Sequence, residues 1–150
     1  MKKLRIFIDM DGVISDFDKE SKNLPIGKRK NRPDLWVDYR YLDIIEGAEE
    51  AVKYLHEHHE VFIASTPPWT RIQVWADKRA WLEENFPYLK RRLILTHRKD
   101  LLIGDVLIDD SRFRGQPDFK GHWFWFNKEW SNKNWKACLE FIKKLENEEI

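Results

Sequence analysis

The sequence predicts an α/β protein: a Rossmann-like three-layer domain with a mostly parallel sheet of about five strands and a small cap insert. Short apolar runs alternate with segments of helical periodicity, which is typical of such folds. The runs show little polar alternation, which indicates strands buried on both faces. Polar residues follow several runs at the point where each strand should end. The length of 150 residues favours a single domain, residues 1–150, with the cap insert at about residues 18–46.

The first half of the chain contains two predicted strands and two predicted helices. Leu4–Ile8 and Val61–Ala64 are the strands. Residues 47–58 have a helical period with an apolar face, formed by Ala48, Ala51, Val52 and Leu55. After Pro67 and Pro68, a second helix is predicted to begin at Thr70, where Gln73 gives the spacing of a capping box, and to run to Phe86.

The second half contains three more predicted strands and a last helix. The strands are Leu93–Leu95, Val106–Ile108 and His122–Phe126. Ser131 is predicted to cap the last helix, whose apolar face consists of Trp135, Cys138, Leu139, Ile142 and Leu145.

Residues 18–46 lack a clear strand and contain Pro25, Gly27 and Pro33. We interpret this segment as a small insert over the edge of the sheet. Its basic run KRKNR, residues 28–32, is predicted to be a solvated loop.

Composition excludes several classes of protein. Lys and Arg total 27 against 26 acids, so the net charge of +1 gives no general signal for nucleic-acid binding. The single cysteine, Cys138, excludes an intramolecular disulfide and favours a reducing compartment, and its apolar helix face predicts a core position. No stretch approaches the roughly 20 apolar residues of a membrane span, and the first apolar run is too short for a signal peptide. We therefore expect no membrane association and a cytoplasmic location. A homodimer is compatible with the sequence.

Two pairs of acids follow predicted strands. Asp9 and Asp11 follow the first strand, and Asp109 and Asp110 follow the fourth. Ligands of parallel α/β sheets lie beyond the carboxyl ends of the strands, so these carboxylates should meet at one edge. Like charges this close would force some groups to take up protons unless a cation is present. Mg²⁺, which prefers oxygen ligands, is the predicted cofactor.

A complementary set of groups could hold a phosphate. Ser65 and Thr66 follow the second strand, where hydroxyl and backbone N–H groups can bind phosphate oxygens, and Lys99 supplies a positive charge. Oppositely charged groups about 4 Å apart attract by about 4 kcal/mol at an effective dielectric constant near 20.

The order of these motifs resembles the phosphatase branch of the haloacid dehalogenase superfamily. The motifs are DMDGV (9–13), IAST (63–66), Lys99 and GDVLIDD (104–110). The chain is most similar to the 5′(3′)-deoxyribonucleotidases, through Phe17 and through STP (65–67), ILTHRKDLLIGDVLIDD (94–110), RGQ (114–116) and WSNKNW (130–135).

This resemblance implies a two-step phosphoryl transfer on a nucleoside monophosphate, a small-molecule substrate. Asp9 would attack phosphorus, and Asp11 would protonate the leaving group and later activate water. Mg²⁺ would be held by the carboxylates of Asp9 and Asp110 and the backbone carbonyl of Asp11, with Asp109 beside them. Ser65 and Lys99 would hold phosphate oxygens. Phe17 occupies a base-stacking position of the family, Trp36, Tyr39 and Tyr41 are further substrate candidates, and His97 stands where relatives usually carry arginine.

Other interpretations stay open at this stage. The same chemistry could act on a sugar phosphate, histidinol phosphate or a nucleic-acid end. A signalling receiver domain also gathers acids and a lysine, but its acid pair comes first and its lysine last, unlike the order here. His56, His58 and His59 do not fit a zinc motif, and we predict that they form an exposed cationic helix end.

Overall fold

The computed structural model describes residues 1–126 and 134–148, which form an α/β fold around a five-stranded sheet. The strands are Arg5–Ile8 (β1), Glu60–Ser65 (β2), Leu93–Leu95 (β3), Val106–Asp109 (β4) and His122–Trp125 (β5). Their spatial order is β3-β2-β1-β4-β5, and every neighbouring pair is parallel. The predicted fold class and the five predicted strands are confirmed, with ends that differ by one residue.

Helices occupy the connections and the C-terminal region. The α-helices are Phe17–Lys22 (α1), Ile26–Lys30 (α2), Ala48–His58 (α3), Ile72–Asn85 (α4) and Trp135–Glu146 (α5). Short 3-10 helices are formed by Pro33–Leu35, Tyr39–Tyr41, Pro87–Leu89, Lys99–Leu101 and Gln116–Asp118. None of the helices within the described ranges is long and apolar enough to cross a bilayer.

The sheet separates two apolar clusters because side chains alternate between the faces of a strand. Ile6 and Ile8 face the larger cluster, which includes apolar residues of α3, α4 and α5. Phe7 faces the smaller cluster with Leu107 and Phe119. On that second face the covering connections carry 3-10 helices, Lys99–Leu101 and Gln116–Asp118. Cys138 is fully buried in the larger cluster, as predicted.

The strand order places a crevice beside the first strand. Chain connections run outward from β1 through β2 to β3, whereas β4 and β5 lie on the other side of β1. In open parallel sheets, such a switch point leaves a gap between loops at the carboxyl ends of the strands, where ligands bind. Ile8 pairs with both Ile63 and Ile108, so the residues that follow β1 and β4 emerge side by side.

The predicted start of the second long helix was wrong. Helix α4 begins at Ile72 after Arg71, which has no side-chain cap, so Thr70 and Gln73 do not form a capping box. The residues after Pro67 and Pro68 form a turn instead, in which the Arg71 N–H donates to the Pro68 carbonyl (3.2 Å). The helix can therefore begin only after Arg71. Ser131 lies outside the described residues, and α5 is capped by Asn134, which accepts from the Ala137 N–H (2.7 Å).

The predicted loop at residues 28–32 is partly helical. Lys28, Arg29 and Lys30 belong to α2, which begins after Pro25, and all residues of the run are exposed as expected. Pro25 is the N-cap residue, where its missing N–H removes no helical hydrogen bond, so a helix can begin directly after it. That residues 18–46 act as a cap over a substrate stays a prediction.

The histidine prediction was wrong for His59. This side chain is buried, its Nδ1 accepts from the Leu4 N–H (3.0 Å), and its Nε2–H donates to Glu146 (2.7 Å). Tyr54 donates to the same carboxylate (3.1 Å). His59 therefore joins the end of α3 to β1 and α5, a tertiary contact that no local pattern indicates. His58 is exposed, as predicted.

Candidate active site

A cavity of about 500 Å³ lies at the switch point, beyond the carboxyl ends of β1, β2 and β4. Most of the site residues predicted from sequence line it, namely Asp9, Asp11, Phe17, Tyr39, Thr66, His97, Lys99, Asp109 and Asp110. Ser65, Trp36 and Tyr41 are not among its lining residues. The volume falls within the usual range for small-molecule sites.

Three carboxylates converge in this cavity. Ligand atoms of Asp9, Asp109 and Asp110 all lie within 4.8 Å of one another. Asp9 and Asp109 are buried, and Asp110 is partly exposed. Gly12 permits this approach: its φ is +83°, and a Cβ at this position would lie 2.0 Å from Asp110 Oδ2. A side chain at residue 12 would therefore both strain the backbone and displace Asp110.

Lys99 connects two of these acids. Its buried ammonium donates to Asp9 Oδ1 (2.9 Å) and to Asp109 Oδ2 (2.5 Å). Burial opposes the charged form of Lys99, but the attraction of Asp9 and Asp109 outweighs it and raises the pKa of Lys99 well above its usual value. Burial, and then the charge of Asp9, raise the pKa of Asp109 to about 7 against the opposing effect of Lys99. Holding these acids together as anions is therefore costly without a further cation.

The donor set fits Mg²⁺. Three carboxylates and one ammonium leave a net charge of −2 when all are ionised, which one divalent cation balances. Mg²⁺ prefers oxygen ligands and is usually bound through one or two carboxylates together with a phosphate. The carboxylates of Asp9, Asp109 and Asp110 would supply such ligands.

Asp11 is held by a lysine that the sequence analysis missed. The Lys78 ammonium donates to Asp11 Oδ2 (2.6 Å), and the Ser15 hydroxyl donates to Asp11 Oδ1 (3.0 Å). Lys78 is fully buried in α4 and also lies 4.8 Å from the centre of the Tyr39 ring. Its spacing was a usable signal, because Val74, Lys78 and Trp81 share the buried stripe of the helix. Burial, and then the charge of Asp11, raise the pKa of Tyr39 far above its usual value, so its hydroxyl stays protonated.

With this geometry established, comparison with known proteins identifies the family. The family described as 5′ nucleotidase, deoxy (Pyrimidine), cytosolic type C protein matches residues 25–131. The chain belongs to this family. The family is part of the haloacid dehalogenase superfamily, which confirms the resemblance found in the motifs.

Individual relatives agree with this assignment. A putative 5′(3′)-deoxyribonucleotidase of Vibrio phage KVP40 is 33% identical over 145 residues, which cover 91% of this chain and 83% of the phage protein. The cytosolic 5′(3′)-deoxyribonucleotidase of Homo sapiens is 29% identical over 152 residues, covering 78% of this chain and 76% of the human protein. A putative 5′(3′)-deoxyribonucleotidase of Staphylococcus epidermidis is 38% identical over 74 residues, 49% of this chain and 41% of that protein.

In this member of the 5′ nucleotidase family, the two hydroxyls after β2 have different environments. Thr66 lines the cavity, and its hydroxyl donates to the Thr96 carbonyl (2.7 Å). The Ser65 hydroxyl is buried and lacks a hydrogen-bond partner within the described part of the chain. An unpartnered buried hydroxyl is unusual, and it is consistent with a ligand oxygen that completes the site.

Aromatic side chains form the outer walls of the cavity in this family member. Phe17 packs on Tyr39 with ring centres 5.7 Å apart. On another side, Trp69 is 75% exposed, yet its ring contacts His97 edge-on at 5.8 Å, and Trp75 edge-on at 5.9 Å. Trp69 was not among the predicted site residues, although its position directly after STPP (65–68) was a usable signal.

The structure does not bring two of the predicted aromatics into the cavity of this family member. Trp36 is half exposed, with the Lys28 ammonium 4.2 Å from its ring centre. Tyr41 is exposed beside Arg40. Their predicted contact with a substrate is therefore not supported by the cavity lining.

Proposed function

We propose that this protein is a Mg²⁺-dependent nucleotidase that hydrolyses (deoxy)ribonucleoside monophosphates to nucleoside and phosphate through a phosphoaspartate on Asp9. Membership of the family makes the chain a phosphoric monoester hydrolase, and its relatives carry the name 5′(3′)-deoxyribonucleotidase. The observation that carries the mechanism is the meeting of Asp9, Lys99, Asp109 and Asp110 at the switch point of the sheet.

Asp9 is the proposed nucleophile. Its carboxylate oxygen attacks phosphorus, a P–O bond to Asp9 forms, and the P–O bond to the leaving nucleoside breaks. The bond from Lys99 to Asp9 Oδ1 fixes the orientation of the carboxylate. The covalent intermediate divides a very slow hydrolysis into two easier displacements.

Asp11 is the proposed acid and base. It gives a proton to the leaving alkoxide, then takes a proton from the water that attacks phosphorus and releases Asp9. Hydrogen bonds from Lys78 and Ser15 hold the carboxylate of Asp11 in place beside the cavity.

The charges of the site support phosphate binding. Mg²⁺ bound by Asp9, Asp110, Asp109 and the Asp11 carbonyl would neutralise negative charge on the phosphoryl group. In this proposal Lys99, Ser65 and Thr66 bind phosphate oxygens, which is supported by the positions of Lys99 and Thr66 in the cavity lining and by the unpartnered Ser65 hydroxyl in the described part of the chain. Preorganised charges of this kind supply most of the acceleration of phosphoryl transfer.

The strand order argues against the receiver-domain alternative. The order found here is β3-β2-β1-β4-β5, whereas receiver domains share the flavodoxin-like order 2-1-3-4-5. Other small phosphomonoesters and nucleic-acid ends stay alternatives for the substrate. A cytoplasmic location and a homodimer also stay predictions, and the first is supported by the cytosolic type of a human relative.

Asp9→Asn tests the proposal. The variant should fold and lose steady release of phosphate from deoxynucleoside monophosphates, because an amide cannot act as the nucleophile. Asp43→Asn is the matched control, since Asp43 is exposed and pairs with Lys19 away from the cavity. Chelation should stop the wild-type reaction and Mg²⁺ should restore it. Substantial turnover by Asp9→Asn, or turnover without metal, would contradict the mechanism.

A further inference from the structure

We propose that Gln116 is a phosphate-binding residue whose side-chain N–H groups donate to a phosphoryl oxygen beside Lys99. This inference rests on the proposed function of the same cavity. Gln116 is 1% exposed and lies with Lys99 in the cavity wall. Its Nε2 is one of two buried side-chain polar atoms that lack a hydrogen-bond partner in the described ranges, and the other is Ser65 Oγ.

The orientation of the Gln116 amide is determined by its other end. Gln116 Oε1 accepts a hydrogen bond from the Arg114 backbone N–H (2.7 Å). A backbone N–H can donate only to the oxygen of a side-chain amide, so the reversed orientation would place two donors against each other. Nε2 must therefore point away from the Arg114 N–H, and its two N–H donors have no acceptor among residues 1–126 and 134–148.

A buried donor without an acceptor costs about 1–3 kcal/mol, so its presence calls for an explanation. A phosphoryl oxygen is a suitable acceptor, because it is anionic and because the proposed function brings it to this cavity. Ser65 is the last residue of β2 and precedes the cavity residue Thr66, whereas Gln116 lines this cavity and begins the 3-10 helix that packs against the one containing Lys99. The same loop is joined to Lys99, whose backbone N–H donates to the Arg114 carbonyl (2.7 Å).

These hydrogen bonds also allow a second role for Gln116, which the experiment must distinguish from phosphate binding. Through Arg114, the Gln116 oxygen could simply hold the Lys99 loop in position, without contacting the ligand. Gln116→Glu keeps an oxygen acceptor for the Arg114 N–H but replaces the donor end with a second oxygen. Gln116→Met removes both ends while keeping a similar length.

The experiment measures the dissociation constant of orthophosphate by calorimetry in the presence of Mg²⁺, using the full chain. Both variants should bind orthophosphate at least about tenfold more weakly than wild type, as expected for the loss of a hydrogen bond to a charged group. Gln73→Met is the matched control, because Gln73 is the other glutamine of the chain and lies exposed on α4. It should bind orthophosphate as wild type does.

Wild-type affinity of Gln116→Glu would overturn the inference and leave Gln116 with a positioning role only. A measurement on the wild-type protein makes the test independent of folding of the variants. In ¹H–¹⁵N spectra, the side-chain NH₂ signal of Gln116 should shift when orthophosphate is added, while that of Gln73 should not. An unshifted Gln116 signal, or no orthophosphate binding by wild type, would also overturn it.

Orthophosphate binding requires no turnover, so the two proposals can fail separately. Phosphate binding through Gln116 without nucleotide hydrolysis would refute the proposed function and support the inference. Hydrolysis of nucleotides with unchanged phosphate affinity in both Gln116 variants would do the opposite.

Discussion

Replacing Gly12 with alanine should strongly reduce the activity of the protein while leaving it folded. A Cβ at residue 12 would lie 2.0 Å from Asp110 Oδ2, where real contacts of this kind exceed 3.0 Å, so the carboxylate must move by about 1 Å or more. A displacement of about 1 Å in a catalytic group can reduce the rate about 100-fold. We therefore expect kcat/KM for a deoxynucleoside monophosphate to fall by roughly two orders of magnitude.

The effect of Gly12→Ala on the free energy of unfolding should be modest. A non-glycine residue held at positive φ costs about 1–3 kcal/mol. For a domain of this size, that lowers Tm by roughly 2–12 °C. Activity measured well below the Tm of the variant therefore reports on the site rather than on unfolding.

Two glycines of the same chain provide controls. Gly47 has φ +86°, but a Cβ there makes ordinary contact with Trp135 at 3.4 Å, so Gly47→Ala shares the backbone strain without affecting the acids. A Cβ at residue 27 would lie in open space, so Gly27→Ala should change neither kcat/KM nor Tm appreciably. If Gly47→Ala loses as much activity as Gly12→Ala, or if Gly12→Ala retains full activity, the argument from Asp110 is refuted.

Three further predictions follow from the charges and rings of the site. Lys78→Met should lower kcat by about tenfold or more and lower the free energy of unfolding by roughly 2–3 kcal/mol. This loss of stability is smaller than that for a fully buried ion pair, because Asp11 is partly exposed. Unchanged kcat and Tm would contradict this prediction. Mg²⁺ at 100 times its dissociation constant should raise Tm by roughly 5–10 °C, and Asp110→Asn should lose most of that shift in scanning calorimetry. Trp69→Ala should raise KM for deoxynucleotides about tenfold through lost base stacking. Ile72→Ala is the control and should leave KM unchanged, because Ile72 is an exposed apolar residue outside the cavity lining. Equal KM values for the two variants would exclude Trp69 from the substrate site.

Local patterns determined most of the framework of this protein. The three central strands, β1, β2 and β4, are short apolar runs that are largely buried, so their positions depend on composition that can be seen along the chain. The acids after the first and fourth strands then predicted a shared site, because parallel strands present their carboxyl ends at one edge. The family resemblance added roles for Asp9, Asp11 and Lys99.

The sequence did not reveal which side chains outside the motifs reach the cavity. Lys78 belongs to none of the motifs and lies between two charged residues on α4. It reaches Asp11 only because α4 packs beside the loop that follows β1. Trp36 and Tyr41, by contrast, are aromatic residues of the kind expected in a substrate-binding site, but they do not line the cavity. The direction in which a side chain points depends on how the insert and the helices pack, and no spacing records it.

The sequence by itself therefore determined the α/β class, the strands and the acids at their ends, because hydrophobic periodicity and turn chemistry are local properties. Only the tertiary structure decided that Lys99 bridges Asp9 and Asp109 and that His59 is buried against Glu146. It also buries the Gln116 amide nitrogen in the cavity wall without a hydrogen-bond partner among the described residues. The contacts of Lys99 and His59 join residues 10 to 90 positions apart. Their geometry depends on the spatial order of the strands in the sheet. The residue pattern of a single segment carries no information about that order.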